Sequence, residues 1–286
     1  MAGFATLLKR HLAELDRLQG AHADSFLKLL ESLRETLTGR MVAMGDLQDP
    51  LNVWRLRAVV AETESGIALL RKKANGEYDA ASQQAIEMSI DHMGAEMDAL
   101  GSFNVSLDAA KVLADPAREI LAQQFDTSVQ RYGLDLLQGV RQRLFVGNMA
   151  GDSMGAVVRD IASERGPLGE VGEANAERLV RTETSNAYQQ AKDSGFRDAK
   201  SEIPDLRRIN IHLGSYKCEL CNRLHGREIP SEGFMFKQGK KTVKRTSPPW
   251  HPNCACTAVL MRPSWKRGLE NEGYLEQQAL DEQPSL

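Results

Sequence analysis

Four cysteines and one histidine lie close together in the sequence, at spacings that suit metal binding. Cys218 and Cys221 form a Cys-x-x-Cys pair, and His251, Cys254 and Cys256 follow after a basic stretch; the chain has no other cysteine. Zinc prefers thiolate and imidazole ligands, and a Cys-x-x-Cys pair lets two sulfurs converge on one ion. The cluster therefore predicts a metal site, with zinc the expected ion, and the alternatives are a small disulfide clasp or buried free thiols.

Two ligand sets are compatible with this spacing. Side chains two residues apart in an extended segment point the same way, so Cys254 and Cys256 could complete a four-cysteine site with the first pair. In the other arrangement Cys256 lies in the core, and the ligands are Cys218, Cys221, His251 and Cys254. Four protein ligands close the coordination sphere of zinc, so either arrangement predicts a structural rather than a catalytic ion.

A run of cations separates the two halves of the cysteine cluster. It comprises Lys237, Lys240, Lys241, Lys244 and Arg245, with no acidic residue among them. We interpret the run as a flexible basic loop. Such a loop can contact nucleic-acid phosphates without base specificity, and the alternative is a solvated, mobile surface.

The overall composition limits the possible classes of protein. A formal net charge of −3 and a pI near 6.1 argue against a broadly basic chain that coats nucleic acid. No run of apolar residues is long enough to predict a membrane span. Lys9, Arg10, Glu14 and Asp16 interrupt the N-terminal apolar positions, which predicts a cytoplasmic product without a signal peptide. Thiols stay reduced in that compartment, which favours metal over disulfide.

The first half of the chain carries apolar residues at helical spacing and predicts a bundle of helices. Gly20 and Gly76 are expected to end helices, whereas Asp49-Pro50 and Asp115-Pro116 are expected to begin them. A narrow apolar seam for one helix comprises Ile86, Ile90, Met93, Met97 and Leu100. The helical faces could dock on an oligomeric partner.

The histidines of this half, His11, His22 and His92, are isolated in sequence. We interpret them as surface or packing residues, so the first half predicts no catalytic group.

The second half begins near residue 146 with a turn-rich break, after which Asp152 or Ser153 is expected to cap a short helix. A longer helix over 173–194 contains Arg181 and Glu183. Because these two residues are two apart, they lie on different faces and need different partners, either in a structural polar network or in solvent. Strands are predicted over 207–213 and 257–261, with a further strand possible over 225–230.

These patterns together predict a mostly α, α+β protein. The expected domains are a helical domain over 1–145, which could dock on a portal or other partner, and a small α+β domain over 146–262 with the Cys/His knuckle. An acidic, flexible tail is expected over 263–286.

The second half resembles the Mu F-like minor head protein family of tailed bacteriophages, over roughly 146–262. The most specific segment is the string Pro-Pro-Trp-His-Pro-Asn-Cys-Ala-Cys at 248–256. The other matching features are Arg181-Thr182-Glu183, the strand leading into Cys218-Glu-Leu-Cys221, and Leu224-His225-Gly226. The family often has a Trp on the entering strand and an Asp shortly before the first cysteine, and this chain has neither there.

The resemblance implies a minor structural protein of the phage head, present in a few copies at the portal vertex or head interior. Such a protein acts in head morphogenesis, DNA packaging or DNA ejection. The implied partners are the portal protein and, further, the major capsid protein and viral double-stranded DNA. The main hypothesis is therefore a structural and interaction protein of the virion rather than an enzyme.

Enzymatic alternatives use some of the same residues. A metal-dependent nuclease could use His251 as a general base beside a zinc-stapled fold. An effector-type enzyme, such as an ADP-ribosyl transferase, could use Arg181 with Glu270 and Glu272, which lie in the predicted tail.

Overall fold

The computed structural model describes residues 2–43, 52–99, 108–163, 165–212, 218–238, 241–251, 254 and 256–263. The helices are α1 (Ala2–Ala43), α2 (Val53–Ala99), α3 (Asp108–Ala150), α4 (Met154–Ala162), α5 (Glu170–Glu202) and α6 (Glu219–Leu224). The strands are β1 (Arg207–His212), β2 (Phe234–Gln238), β3 (Lys241–Arg245) and β4 (Cys256–Met261). The predicted class, α+β and mostly α, is confirmed.

The long helices pass through residues that the sequence marked as helix boundaries. Gly20 lies inside α1, Gly76 inside α2, and Pro116 inside α3. The predictions that the two glycines end helices and that Asp115-Pro116 begins one are therefore wrong. A glycine costs an exposed helix only about 1 kcal/mol relative to alanine, so a continuous buried face overrides it. The predicted start at Asp49-Pro50 and the predicted acidic tail lie outside the described residues.

The shorter elements follow the sequence closely. Ser153 caps α4, and its side chain accepts a hydrogen bond from the backbone N–H of Ala156, as predicted. β1 pairs with β4 in antiparallel register, with Arg207 opposite Met261 and His212 opposite Cys256. The predicted strand over 225–230 forms only an isolated bridge, from Glu228 to Ile209.

The chain forms two compact units, each assembled from separate stretches of sequence. Unit 1 comprises Met1–Gln19, Ser82–Leu121 and Thr182–Leu286, and unit 2 comprises Gly20–Ala81 and Ala122–Arg181. In unit 2, Tyr78 stacks on Phe125 with ring centroids 3.9 Å apart, and Phe26 packs edge-on against Tyr132. The domain boundary at residues 145 and 146 stays a prediction.

The core of unit 1 forms between the ends of helices and the β1–β4 sheet. Phe4 and Leu8 of α1 pack against four sheet residues, Ile209, Ile211, Val259 and Met261. Met93 and Met97, from the predicted seam on α2, pack with Ala199, Ile203, Leu206 and Leu260. The helix segments thus hold the sheet from which the cysteine cluster projects. Among the described helices, none is long and apolar enough to cross a bilayer.

Candidate metal centre

Short turns set the spacing of the candidate ligands within each half of the cysteine cluster. Cys218 precedes α6 with extended backbone angles, and its carbonyl accepts a hydrogen bond from Asn222 N–H, so Cys221 follows one helical turn later. On the other side, Cys254 N–H donates to the carbonyl of His251 at 3.2 Å, which folds these two ligands toward each other. Local hydrogen bonds therefore set the spacing within each half.

The side chains of the two halves meet. His251 Nε2 lies 3.1 Å from Cys218 Sγ and 2.9 Å from Cys221 Sγ, and Cys221 Sγ lies 3.7 Å from Cys254 Sγ. Two sulfurs each about 2.3 Å from a tetrahedral zinc would lie about 3.8 Å apart. Cys218, Cys221 and His251 form a group that could hold a metal ion, and Cys254 lies beside it.

A second group of possible ligands shares Cys221. His212, at the end of β1, and Cys256, the first residue of β4, face each other in the strand register and converge on Cys221. All three residues are buried. The sequence placed His212 only on a strand, because nothing in its local pattern pointed to a ligand. The antiparallel pairing of two distant strands brings it to the cluster.

Two other residues, from segments that carry the resemblance, have structural contacts beside the cluster. His225 Nδ1 accepts a hydrogen bond from the backbone N–H of His212 at 2.9 Å. The buried Trp250 donates from Nε1 to Asn210 Oδ1 and packs against Phe234 and Phe236. Three of the cysteines belong to this same core, Cys221, Cys254 and Cys256. Apolar side chains therefore enclose these three cysteines, whereas Cys218 and His251 are half-buried.

Hydrogen bonds between the thiols shift their pKa values in opposite directions. The hydrogen bond with Cys221 holds the pKa of the Cys254 thiol well below its usual range. The same contact raises the pKa of Cys221, and hydrogen bonding to Cys221 raises that of Cys256. Of these three thiols, Cys254 is therefore the first to lose its proton as the pH rises. A bound cation would favour further deprotonation, because the thiolate is the ligand form.

The cationic run forms a hairpin rather than a flexible loop. β2 and β3 pair antiparallel, with Phe234 opposite Arg245 and Gln238 opposite Lys241. Phe234 and Phe236 pack on Trp250 and so attach the hairpin to the core. The high charge of the segment gave no indication of this apolar contact. The prediction of a flexible loop is therefore wrong.

Four of the five cations of this run lie within the described residues. Lys244 is exposed, and Arg245 donates to the carbonyl of Pro249 at 3.0 Å. Lys237 and Lys241 lie in β2 and β3, and Lys240 lies outside the described residues. Contact of these cations with nucleic acid stays a prediction.

Arg181 and Glu183 interact with different residues on α5. Arg181 pairs with Glu177 one turn earlier at 2.9 Å, and Glu183 accepts a hydrogen bond from Asn186 at 3.0 Å. Glu183 is buried, and Arg181 is partly exposed. These contacts fit a structural polar role for both residues.

Unit 1 also contains a buried polar cluster that the sequence did not predict. The rings of His11 and His92 stack with centroids 3.8 Å apart. His11 Nδ1 contacts Glu96 at 3.2 Å, and Glu96 pairs with Lys192 Nζ at 2.7 Å. Lys192 also donates to the carbonyl of Ala258 on β4. Three distant helix segments supply these residues, so His11 and His92 looked isolated in sequence.

Burial determines the protonation of this cluster. It lowers the pKa of His92 from 6.5 to about 4, with help from the charge on His11 and against the hydrogen bond to Glu14. Burial also raises the pKa of Tyr188, whose hydroxyl lies 2.9 Å from His92 Nδ1. At neutral pH, Tyr188 thus donates to a neutral His92, whose Nε2–H donates to Glu14. The cluster ties α1, α2 and α5 together.

Comparisons of the chain with protein-family models, with curated proteins and with solved structures found no match.

Proposed function

We propose that this chain is a minor structural protein of a tailed-phage head that acts at the portal vertex in head morphogenesis, DNA packaging or DNA ejection. The supporting observation concerns the string at 248–256, which is the most specific part of the resemblance: its residues form the local core and the Cys/His cluster. Within it, Trp250 fills the local core, while His251 and Cys254 reach the Cys-x-x-Cys pair. The residues that carry the resemblance are thus the ones that build the cluster.

We propose zinc as the ion, bound by Cys218, Cys221, His251 and Cys254. Soft thiolates with one imidazole suit tetrahedral zinc, and four protein ligands leave no position for substrate. The ion would cross-link α6 to the segment preceding β4. Both α6 and β4 are only six residues long, so the cross-link would hold short elements in place. Its role would be to stabilise the fold, as expected for a structural component.

Quantitative mass spectrometry of purified particles from the phage or prophage that encodes the chain tests the head assignment. We expect a few to tens of copies per particle, on the scale of a portal ring. Their number should fall in parallel with the portal protein when that protein is depleted. A protein abundant in infected cells and missing from particles would overturn the proposal.

A further inference from the structure

A pocket of about 650 Å³ lies in unit 1 between the end of α5, the start of β1 and the segment after α6. Four cationic residues line it, Arg197, Lys200, Arg207 and Arg208. The acids in the lining are Asp193 and Glu228, and the hydroxyls of Ser231 and Thr246 complete its polar surface. The pocket is thus cationic within a chain whose net charge is −3.

Two of the cations already have acidic partners. Arg208 pairs with Asp193 at 2.8 Å, and Arg207 pairs with Glu228 at 3.2 Å. Arg197 and Lys200 form no ion pair with any residue that the structure describes. The pocket therefore has a surplus of two positive charges, both on the last turns of α5.

The Phe196 ring orients two of the four cations. Arg208 Cζ and Lys200 Nζ each lie 5.2 Å from the centroid of the Phe196 ring. Such cation–π contacts restrict long side chains that would otherwise sample many rotamers. Arg208 is 8% exposed, so its guanidinium is fixed in a largely dry site, where charge interactions are stronger than in water. The charges are thus partly preorganised.

We propose that this pocket binds a phosphate group, from either a small phosphate compound or the backbone of a polynucleotide. Arginine offers parallel N–H donors that match phosphate oxygens, and lysine adds a mobile point charge. Ser231 and Thr246, which also line the pocket, add hydroxyl donors. A phosphate would neutralise the two surplus charges, whereas an apolar ligand would cover them without supplying a partner. The proposal is independent of the role in the phage head.

Binding of two probes to the full chain tests the proposal. Isothermal titration calorimetry would measure inorganic pyrophosphate, and fluorescence anisotropy would measure a labelled single-stranded oligonucleotide. We expect the double variant Arg197→Ala/Lys200→Ala to bind at least about tenfold more weakly than the native chain. If the oligonucleotide binds, the variant should also lower the dependence of log K on log salt by about 1 to 2.

The matched control is Lys72→Ala/Lys73→Ala, which removes the same charge from exposed helical positions on α2 and should bind like the native chain. A second variant, Thr246→Asp, adds a carboxylate to the pocket lining and should also weaken binding. Binding of both probes, with mutual competition, assigns the polynucleotide backbone. Binding of pyrophosphate alone assigns a small phosphate compound. Binding of neither probe, or equal binding by all variants, would overturn the proposal.

Discussion

Cys221 is the residue in which the two possible ligand groups overlap. Its sulfur lies near His251 and Cys254 on one side, and it also groups with His212 and Cys256. Because one sulfur is shared, loss of Cys221 would remove a ligand from either arrangement. The flanking cysteines distinguish the two sets, since Cys254 lies beside the His251 group and Cys256 in the His212 group.

Substitution of Cys254 should cost the protein its metal. We expect Cys254→Ser to lower the bound metal per chain to near zero and to lower the free energy of unfolding by several kcal/mol, since binding stabilises only the folded state. Native mass spectrometry and urea unfolding would measure the two effects. The control is Cys256→Ala, a small apolar replacement in the core, which should keep the metal. Loss of metal from both variants would instead favour the four-cysteine set, and loss from Cys256→Ala alone would favour the group of His212, Cys221 and Cys256.

His92 should make stability depend on pH. Its pKa is about 4 when folded and 6.5 when unfolded, so between these values the unfolded chain binds more protons. The free energy of unfolding should therefore fall as pH drops from 6.5 to 4, by up to about 1.4 kcal/mol per pH unit from this residue. Urea unfolding at a series of pH values would measure the slope.

The control for this titration is His92→Gln, whose amide can still donate to Glu14. We expect a shallower slope in this variant across the same pH range. Equal slopes would show that His92 does not carry the effect and that the neighbouring carboxylates do. The comparison depends on the difference between slopes, because other acids of the native chain also titrate there.

Individual residues could be predicted when their signal was local. The cysteine spacing indicated the cluster because two ligands lie on each short turn. His212 and the pair of His11 and His92 depend on contacts between distant elements, which no local pattern encodes. The burial of Lys192 could not be predicted either, because a lysine in a helix is usually solvated, whereas this side chain is 1% exposed.

At the scale of elements, the sequence identified the helical faces but divided the helices too often. Gly20, Gly76 and Pro116 are locally unfavourable in a helix, yet the apolar face continues past each of them. Buried residues such as Phe26 after Gly20 and Ala81 after Gly76 supply that continuity. Local boundary signals are worth about 1 kcal/mol for glycine, less than the burial of two large side chains.

Gly76 therefore offers a direct test of the continuous α2. A Cβ at this position would meet nothing within 4 Å, and the backbone is helical. We expect Gly76→Ala to raise the free energy of unfolding by about 0.5–1 kcal/mol, because it lowers the backbone entropy of the unfolded chain. Thermal and urea unfolding would measure this gain.

The matched control is Gly133→Ala on α3, also inside a helix. There the added Cβ would lie 2.5 Å from Ile67 Cγ2, so we expect a loss of about 1–3 kcal/mol from overpacking. Should Gly76→Ala destabilise the chain instead, the helix would end at Gly76, as the local sequence indicates. The pair of variants separates helix propensity from packing, because both glycines lie inside helices but only Gly133 faces a crowded side chain.

The whole molecule combines stretches that the sequence assigned to different domains. In unit 1, Phe4 and Leu8 pack against β1 and β4, and Glu96 pairs with Lys192 in a site where each side chain is 1% exposed. Each contact joins a residue before position 145 to one after it. Sequence patterns describe the faces of elements and do not specify which distant faces will pack together, so this arrangement could not be predicted.

Division of the chain at 145/146 should therefore impair folding of the second half. We expect fragment 146–286 alone to lack cooperative unfolding, because the sheet loses Phe4 and Leu8 and buried Lys192 loses its carboxylate partner. An uncompensated buried charge costs about 3–5 kcal/mol, a large part of the stability of a typical domain. Co-expression with fragment 1–145 should restore cooperative unfolding and metal binding. If fragment 146–286 alone binds metal and unfolds cooperatively at the native midpoint, the predicted domain boundary is correct, and the contacts with the first half are dispensable.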